Sequence, residues 1–258
     1  MLSLIRRTIA LTAANLTTAC ASARVAPAPI VTDRPDFTES AEVVPSGMVQ
    51  VEGGYTFAKS GRAREHTAGE LLVRIPVSAG VEVRAEPGSY VVSEAAGERT
   101  SGIDGATVGA KVMLARADSA RAASPSLALV LGVTLPTGAR EYRERKLQPA
   151  ATLLAAWQLS ERLSLGSNAG VSYASDGGSR FTQLYGSATV GYTLSERVGS
   201  YLEYFAFNRE AARAPYSGYA NGGLTFRLSD DTQLDARAGR GLDGRSRYFL
   251  GAGLSRRW

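Results

Sequence analysis

The chain has 258 residues, 44% of them hydrophobic and 21% charged, with a formal net charge of +5 and a mean hydropathy of −0.09. No stretch reaches the ~18 consecutive apolar residues of a membrane helix, which excludes helical spans, whereas a β-barrel shows only alternate residues to lipid and fits so low an average. The single cysteine, Cys20, excludes an intrachain disulfide, and the basic residues are spread too evenly for a nucleic-acid surface.

At the N-terminus Arg6 and Arg7 precede an apolar run, Thr8 to Ala19, that is too short to span a bilayer. Residues 1–23 therefore read as a secretory signal peptide. Cleavage follows Ala23, in Ala21-Ser22-Ala23, or precedes Cys20 if Leu16 to Cys20 serves as a lipoprotein site, which makes Cys20 the candidate lipidation position. Thr17 stands where such sites usually carry leucine. Either cut removes Arg6 and Arg7 and leaves a net charge of +3. Residues 24–46 are rich in Pro, Ala and polar groups without a period, and read as an extended periplasmic segment.

From residue 47 to 258 the chain is expected to form one domain, an all-β transmembrane antiparallel up-and-down barrel of about twelve strands. Twelve segments alternate apolar and polar residues, the signature of a half-buried strand. Their outward residues are Val49, Val51, Tyr55 and Phe57; Leu71 to Val77; Val81 to Ala85; and Val108 to Leu114, in steps of two. The same spacing continues over 127–135, 153–159, 163–173, 184–194, 198–206, 220–228, 234–238 and 248–258. The last segment has a ring at each end, Tyr248 and Trp258, and polar or small residues on its other face. Arg116 to Pro125 is ambiguous and leaves ten or fourteen strands open.

Leu159-Ser-Glu-Arg-Leu163, Leu194-Ser-Glu-Arg-Val198, Leu228-Ser-Asp-Asp-Thr-Gln-Leu234 and Val77-Ser-Ala-Gly-Val81 form related short turns. Each separates outward residues by an odd number of loop residues, three or five, so both flanking strands keep one face toward lipid. Only Gly80 suits the positive-φ position of a three-residue hairpin. The alternate connections are longer and more charged: 59–68, 93–104, 137–146, 175–180, 208–216 and 240–247. Short turns alternating with long loops fit a barrel between periplasm and exterior. Alternation alone also fits a soluble β-sandwich, but the signal, the loop pattern and the terminal aromatic favour the barrel.

The segment Thr32-Asp-Arg-Pro-Asp-Phe-Thr-Glu-Ser40, followed by Val43-Val-Pro-Ser-Gly47 and Val51-Glu-Gly-Gly54, is the most specific string in the chain. It resembles the opening of the outer-membrane transporter family associated with the phenol meta-degradation pathway. The resemblance implies a barrel in the outer membrane of a Gram-negative cell, labelled a transporter. Arg256 departs from that pattern, which usually carries an apolar residue there.

Once the outward faces are assigned, the inward ones follow. They place the charges Glu52, Glu70, Arg74, Glu82, Arg84, Lys111, Glu203, Arg227, Asp235 and Arg237 on the lumen wall, as a paired ladder or as the lining of a hydrated path. Tyr201, Phe205 and Phe207 form an inward aromatic stripe, with Tyr185 and Phe249 near it, and are candidate solute contacts. Inward glycines, among them Gly170 and Gly223, leave room inside and ease curvature of the wall.

The function expected is passive passage or binding of a small, aromatic or apolar solute. The alternatives are a structural or adhesive surface barrel without transport and, with less support, an outer-membrane hydrolase that would use His66. No catalytic residue, metal site or cofactor is assigned, and no nucleotide motif supplies energy. The expected partners are outer-membrane lipid, lipopolysaccharide (Arg140 to Lys146 being a candidate for its phosphates), the barrel-assembly machinery reading the C-terminal strand, and a solute the residues do not identify.

Overall fold

The structure, a computed structural model, describes residues 28–118, 124–243 and 247–258. The signal peptide, Cys20 and residues 24–27 lie outside the described residues. Fourteen strands run β1 (Gln50–Ser60), β2 (Ala63–Ser78), β3 (Val81–Glu86), β4 (Tyr90–Ala95), β5 (Glu98–Ile103), β6 (Thr107–Ala115) and β7 (Ser126–Thr134). They continue as β8 (Gln148–Gln158), β9 (Leu163–Asp176), β10 (Ser179–Thr193), β11 (Val198–Phe207), β12 (Ser217–Ser229), β13 (Thr232–Gly241) and β14 (Arg247–Arg257). The sheet closes where β14 pairs antiparallel with β1, from Gln50 opposite Arg257 to Ser60 opposite Arg247.

Fourteen strands make twelve staves. β3 pairs with residues 73–78 of β2 and β4 with residues 64–68, so β3 and β4 are two halves of one stave, interrupted at Pro87-Gly88-Ser89. β5 and β6 form the next, broken at Asp104-Gly105-Ala106. Pro87 has no N–H to give the ladder, and Gly88 takes a positive φ of 96° that a side chain resists. The two breaks lie side by side and are bridged by Ser89 N donating to Asp104 Oδ1 at 2.6 Å and Asp104 N donating to Ser89 O at 3.0 Å.

The outward faces match the sequence pattern. Leu202 is 74% exposed, Val77 59% and Leu114 54%, an inversion tolerable only if lipid covers them. Tyr55, Phe57 and Tyr248 gather at the outer end of the belt, with His66 among them. Gly80 has the positive φ expected of its turn, 92°.

Three connections differ from expectation. Residues 59–68, 93–104 and 175–180 are largely strand, turning at Gly61-Arg62, Ala96-Gly97 and Gly177-Gly178. Above the bilayer both faces of a hairpin meet water, so nothing there imposes apolar alternation. The ambiguous 116–125 stretch links β6 to β7, with 119–123 outside the described residues.

Three inward glycines turn out to seat rings across the strand pair. A Cβ on Gly170 would strike the Tyr185 ring, one on Gly223 the Tyr201 ring, and one on Gly239 the Phe249 ring. Tyr185 is held there by Thr152, its Oη lying 2.7 Å from the threonine Oγ1. Gly170→Ala is therefore expected to push Tyr185 off its seat and lower stability by about 1–3 kcal/mol, the usual cost of overpacking. The temperature at which the fast-migrating folded band is lost on gels measures this. No change would mean that the ring is not fixed by the glycine.

Candidate functional site: a lumen closed by the chain's own N-terminal segment

Residues 28–46, expected in the periplasm, run instead up into the lumen and back. Ile30 N donates to Asp230 O at the turn between β12 and β13, and Arg257 Nη2 donates to Ala28 O at 2.8 Å. The segment rises to an apex at Asp36 to Thr38 and descends to Val49, which pairs with Trp258. Its anchors are β1, β2, β3 and β6 for Asp33, β10 and β11 for Thr38, and β13 for Thr32 and Pro35. Ala41 packs on Ala128 of β7 and Leu154 of β8. Contacts so widely spread around the wall identify the segment as a plug. The physical reason is that inward charges at membrane depth require partners, and the polar groups of this segment supply them.

The densest contacts form a charge cluster. Arg74 is fully buried; its Nε donates to Glu82 Oε1 at 2.8 Å, its Nη1 to Glu52 Oε1 at 3.0 Å and its Nη2 to Glu42 O at 2.7 Å. Lys111 Nζ donates to both Asp33 oxygens, at 2.8 and 2.9 Å, and to Ser40 O at 2.8 Å. Arg84 Nη1 donates to Asp33 Oδ2 at 2.6 Å, and its Nη2 lies 3.0 Å from Glu39. The wall alone brings three cations and two carboxylates, Glu52 and Glu82, to this cluster. Asp33 of the plug supplies the missing negative charge, and Glu39 adds a further carboxylate at the edge of the cluster. Glu52 in turn accepts from the backbone N–H of Asp33 at 2.9 Å and of Arg34 at 3.0 Å, so main chain as well as side chain is tied to the wall.

A second anchor holds the apex. Glu203 accepts from Phe37 N at 2.9 Å, Thr38 N at 2.6 Å and Thr38 Oγ1 at 2.6 Å, and also from Asn221 Nδ2. Thr38 Oγ1 lies 2.7 Å from Ser187 Oγ. Arg34 reaches Glu70 at 2.8 Å and Asp235 at 3.5 Å. Glu70 has an unusual positive φ of 41° beside an irregularity in the β1–β2 register, which turns its carboxylate toward Arg34. Arg237 donates to Pro35 O at 2.8 Å.

Of the inward charges, Arg227 is the exception. It stands opposite Gln233 near the periplasmic end of β12, and its side chain makes no hydrogen bond or ion pair among the described residues. The others all meet the plug directly, Glu82 by accepting from Val44 N at 2.9 Å.

Above the plug lies a vestibule of about 780 Å³ whose lining includes Phe37, Glu39, Asn168, Gln183, Tyr185 and Phe207. Phe37 stacks on Phe205 with centroids 4.7 Å apart and planes at 14°, and Tyr219 stacks on Phe205 at 4.8 Å and 12°. Two near-parallel rings this close cannot share one face, so Phe205 is sandwiched. Tyr185 and Phe207 meet Phe37 edge-on at 6.1 and 5.4 Å, a favourable arrangement for ring quadrupoles. Phe249 also joins the cluster. The structure thus brings Phe205 and Phe207 together, while Tyr201 sits lower on β11 with its Oη buried and unpartnered.

At the outer rim Glu210, in the 208–216 loop, accepts from Tyr219 Oη and Arg247 Nη1, both at 2.6 Å. Burial opposes its ionisation, but these hydrogen bonds hold its carboxyl below the usual carboxylate range. His66 is on the outward face of β2, its Nδ1 2.6 Å from Tyr55 Oη.

The residues missed by sequence reasoning are those of the plug: Asp33, Arg34, Phe37, Thr38 and Glu39. They lie in the most specific string of the chain, yet without a period nothing there announced a structural partner.

The fold is that of outer-membrane channel barrels. The COG4313 outer-membrane channel from Pseudomonas putida F1 is similar, with a TM-score of 0.65 and 14% identity over 84% of this chain and 98% of that one. The KdgM porin, solved with disordered oligogalacturonate, is similar at a TM-score of 0.52 and 11% identity over 80% of this chain and 98% of that one. None of the curated proteins matches the sequence. A family profile matches residues 32–258, starting within the plug, and the chain belongs to that family, described as "Putative MetA-pathway of phenol degradation".

Proposed function

We propose that the protein is a passive outer-membrane channel for small aromatic or apolar solutes, held shut by residues 28–46 and opened by displacing them. The observation that carries this reading is the plug itself. A barrel with a purely structural role has no need to seat a non-strand segment against most of its staves by buried, reversible contacts, the majority of them polar. The aromatic floor of the vestibule favours a flat ring as solute. Residence in the outer membrane, lipopolysaccharide around the outer hairpins and recognition of β14 by the assembly machinery belong to the same proposal.

A reversible lock tests it. Thr38 and Ser187 have hydroxyl oxygens 2.7 Å apart, which makes Thr38→Cys with Ser187→Cys the pair to cross-link, in a chain also carrying Cys20→Ser. In lipopolysaccharide-faced vesicles the reduced protein is expected to pass a single-ring aromatic solute faster than empty vesicles. Oxidation should abolish the gain, and a reductant restore it. Equal passage in both states would show a route that bypasses the plug. Absence of passage in the reduced form and in a chain lacking residues 28–46 would leave the structural or adhesive barrel as the better reading.

A further inference from the structure

We propose that Phe37 is a built-in occupant of a solute-binding slot, so that a neutral single-ring aromatic entering from the vestibule competes with Phe37 for the face of Phe205 and thereby loosens the plug. The inference deepens the channel reading and rests on it for its biological meaning, though the binding event stands by itself.

The slot is one ring wide. Phe205 forms one side through its face, and Phe207 and Tyr185 close two others through their edges. The far face of Phe205 is taken by Tyr219, so only the face under Phe37 can be offered to a solute. Phe37 lines the vestibule and Phe205 does not, which means that the plug ring covers the site from the outside. Apart from Ala41, which packs on the aliphatic Ala128 and Leu154, the plug contacts described above are ion pairs or hydrogen bonds to specific partners. The Phe37 contact is the one that an unrelated molecule can copy without matching donors and acceptors, since any flat ring has the same faces.

Charge restricts the class of ligand. Glu203 accepts the N–H of Phe37 itself. An anionic aromatic would be placed beside this carboxylate, so uncharged rings are favoured over aromatic carboxylates. The coupling to gating follows from the chain. Phe37 and Thr38 are adjacent, and both present their N–H groups to Glu203, so expelling the ring strains the anchor next to it.

The experiment measures binding to the full chain in detergent, with benzyl alcohol as the neutral probe and benzoate as the anion of similar size. Removing an internal competitor raises apparent affinity, because the binding-competent fraction rises. Phe37→Ala should therefore bind benzyl alcohol about tenfold more tightly than wild type, Phe37→Leu should fall between them, and Phe205→Ala should lose the site. Benzoate should bind weakly to all four. In the oxidised Thr38→Cys/Ser187→Cys protein, where Phe37 cannot leave, binding should fall, and adding Phe37→Ala to the locked protein should recover it. Unchanged or weaker binding by both Phe37 variants would overturn the proposal and make Phe37 part of the site's wall. Equal binding of benzoate would overturn the charge selection. Competition without solute passage would sink the channel reading alone; passage without competition would sink this inference alone.

Discussion

Replacing Asp33 with alanine is expected to turn a closed barrel into a frequently open one and to lower its stability by about 3 kcal/mol. The magnitude follows from the company Asp33 keeps. Lys111 gives it two hydrogen bonds and Arg84 a third, all at 2.9 Å or less, and Arg74 lies 3.4 Å away. Deleting one member of a buried ionic cluster leaves its partners charged and unpaired, which typically costs 3–5 kcal/mol; entry of water as the plug shifts keeps the figure at the lower end. The folded-band temperature on gels and the open fraction in planar bilayers report the two effects. Asp33→Asn should act similarly, since it keeps shape but removes charge. Combining it with Lys111→Met should recover part of the stability, because an apolar replacement of both partners is far less damaging than loss of one. The wild-type closed state should hardly respond to salt, as buried pairs are poorly screened. An Asp33→Ala barrel as stable and as silent as wild type would show that the cluster does not hold the plug.

The barrel was readable because lipid imposes a rule on every second residue. Leu184, Leu202, Leu224 and Leu250 are all more than half exposed, and each lies on the face assigned from periodicity. Where lipid ends the rule ends, so the strand ends beyond the bilayer around Gly61, Ala96 and Gly177 resembled charged loops. The wall charges were assigned inward by the same rule; Arg74, Arg84 and Lys111 are buried in the structure. Their partner Asp33 was not legible. It sits some forty to eighty residues earlier in a stretch with no period, and a contact between an aperiodic segment and a lumen wall leaves no mark in either pattern. The aromatic stripe on β11 was visible as Phe205 and Phe207, yet the ring that completes it, Phe37, comes from that same silent stretch.

Glu203→Gln should open the barrel from the apex, whereas Arg227→Gln should leave closure unchanged, although periodicity alone makes both residues lumen charges. Glu203 gathers donors from Phe37 N, Thr38 N, Thr38 Oγ1 and Asn221 Nδ2, with no cation paired to it among the described ion pairs. Hydrogen bonds to an ionised acceptor are worth roughly 1.5–3 kcal/mol each, and glutamine offers one neutral oxygen and an amide that faces donors with a donor. Losing even two of the four amounts to about 3–6 kcal/mol of plug anchoring before water replaces any of it. Among the described residues Arg227 makes no hydrogen bond or ion pair to the plug or to a wall carboxylate, so its neutralisation affects only the charge met by ions near the periplasmic mouth. Bilayer recording should therefore show a large rise in open fraction for Glu203→Gln. For Arg227→Gln it should show wild-type closure, with selectivity shifted toward cations whenever the barrel is open, since a fixed positive charge has been removed from the path. Cleavage by a protease added from the periplasmic side gives an independent reading, because a released apex lets residues 28–46 sample solution, where chain is cut most readily. The apex anchor is wrong if Glu203→Gln remains as silent and as protected as wild type while Asp33→Ala opens. Closure would then reside in the charge cluster alone.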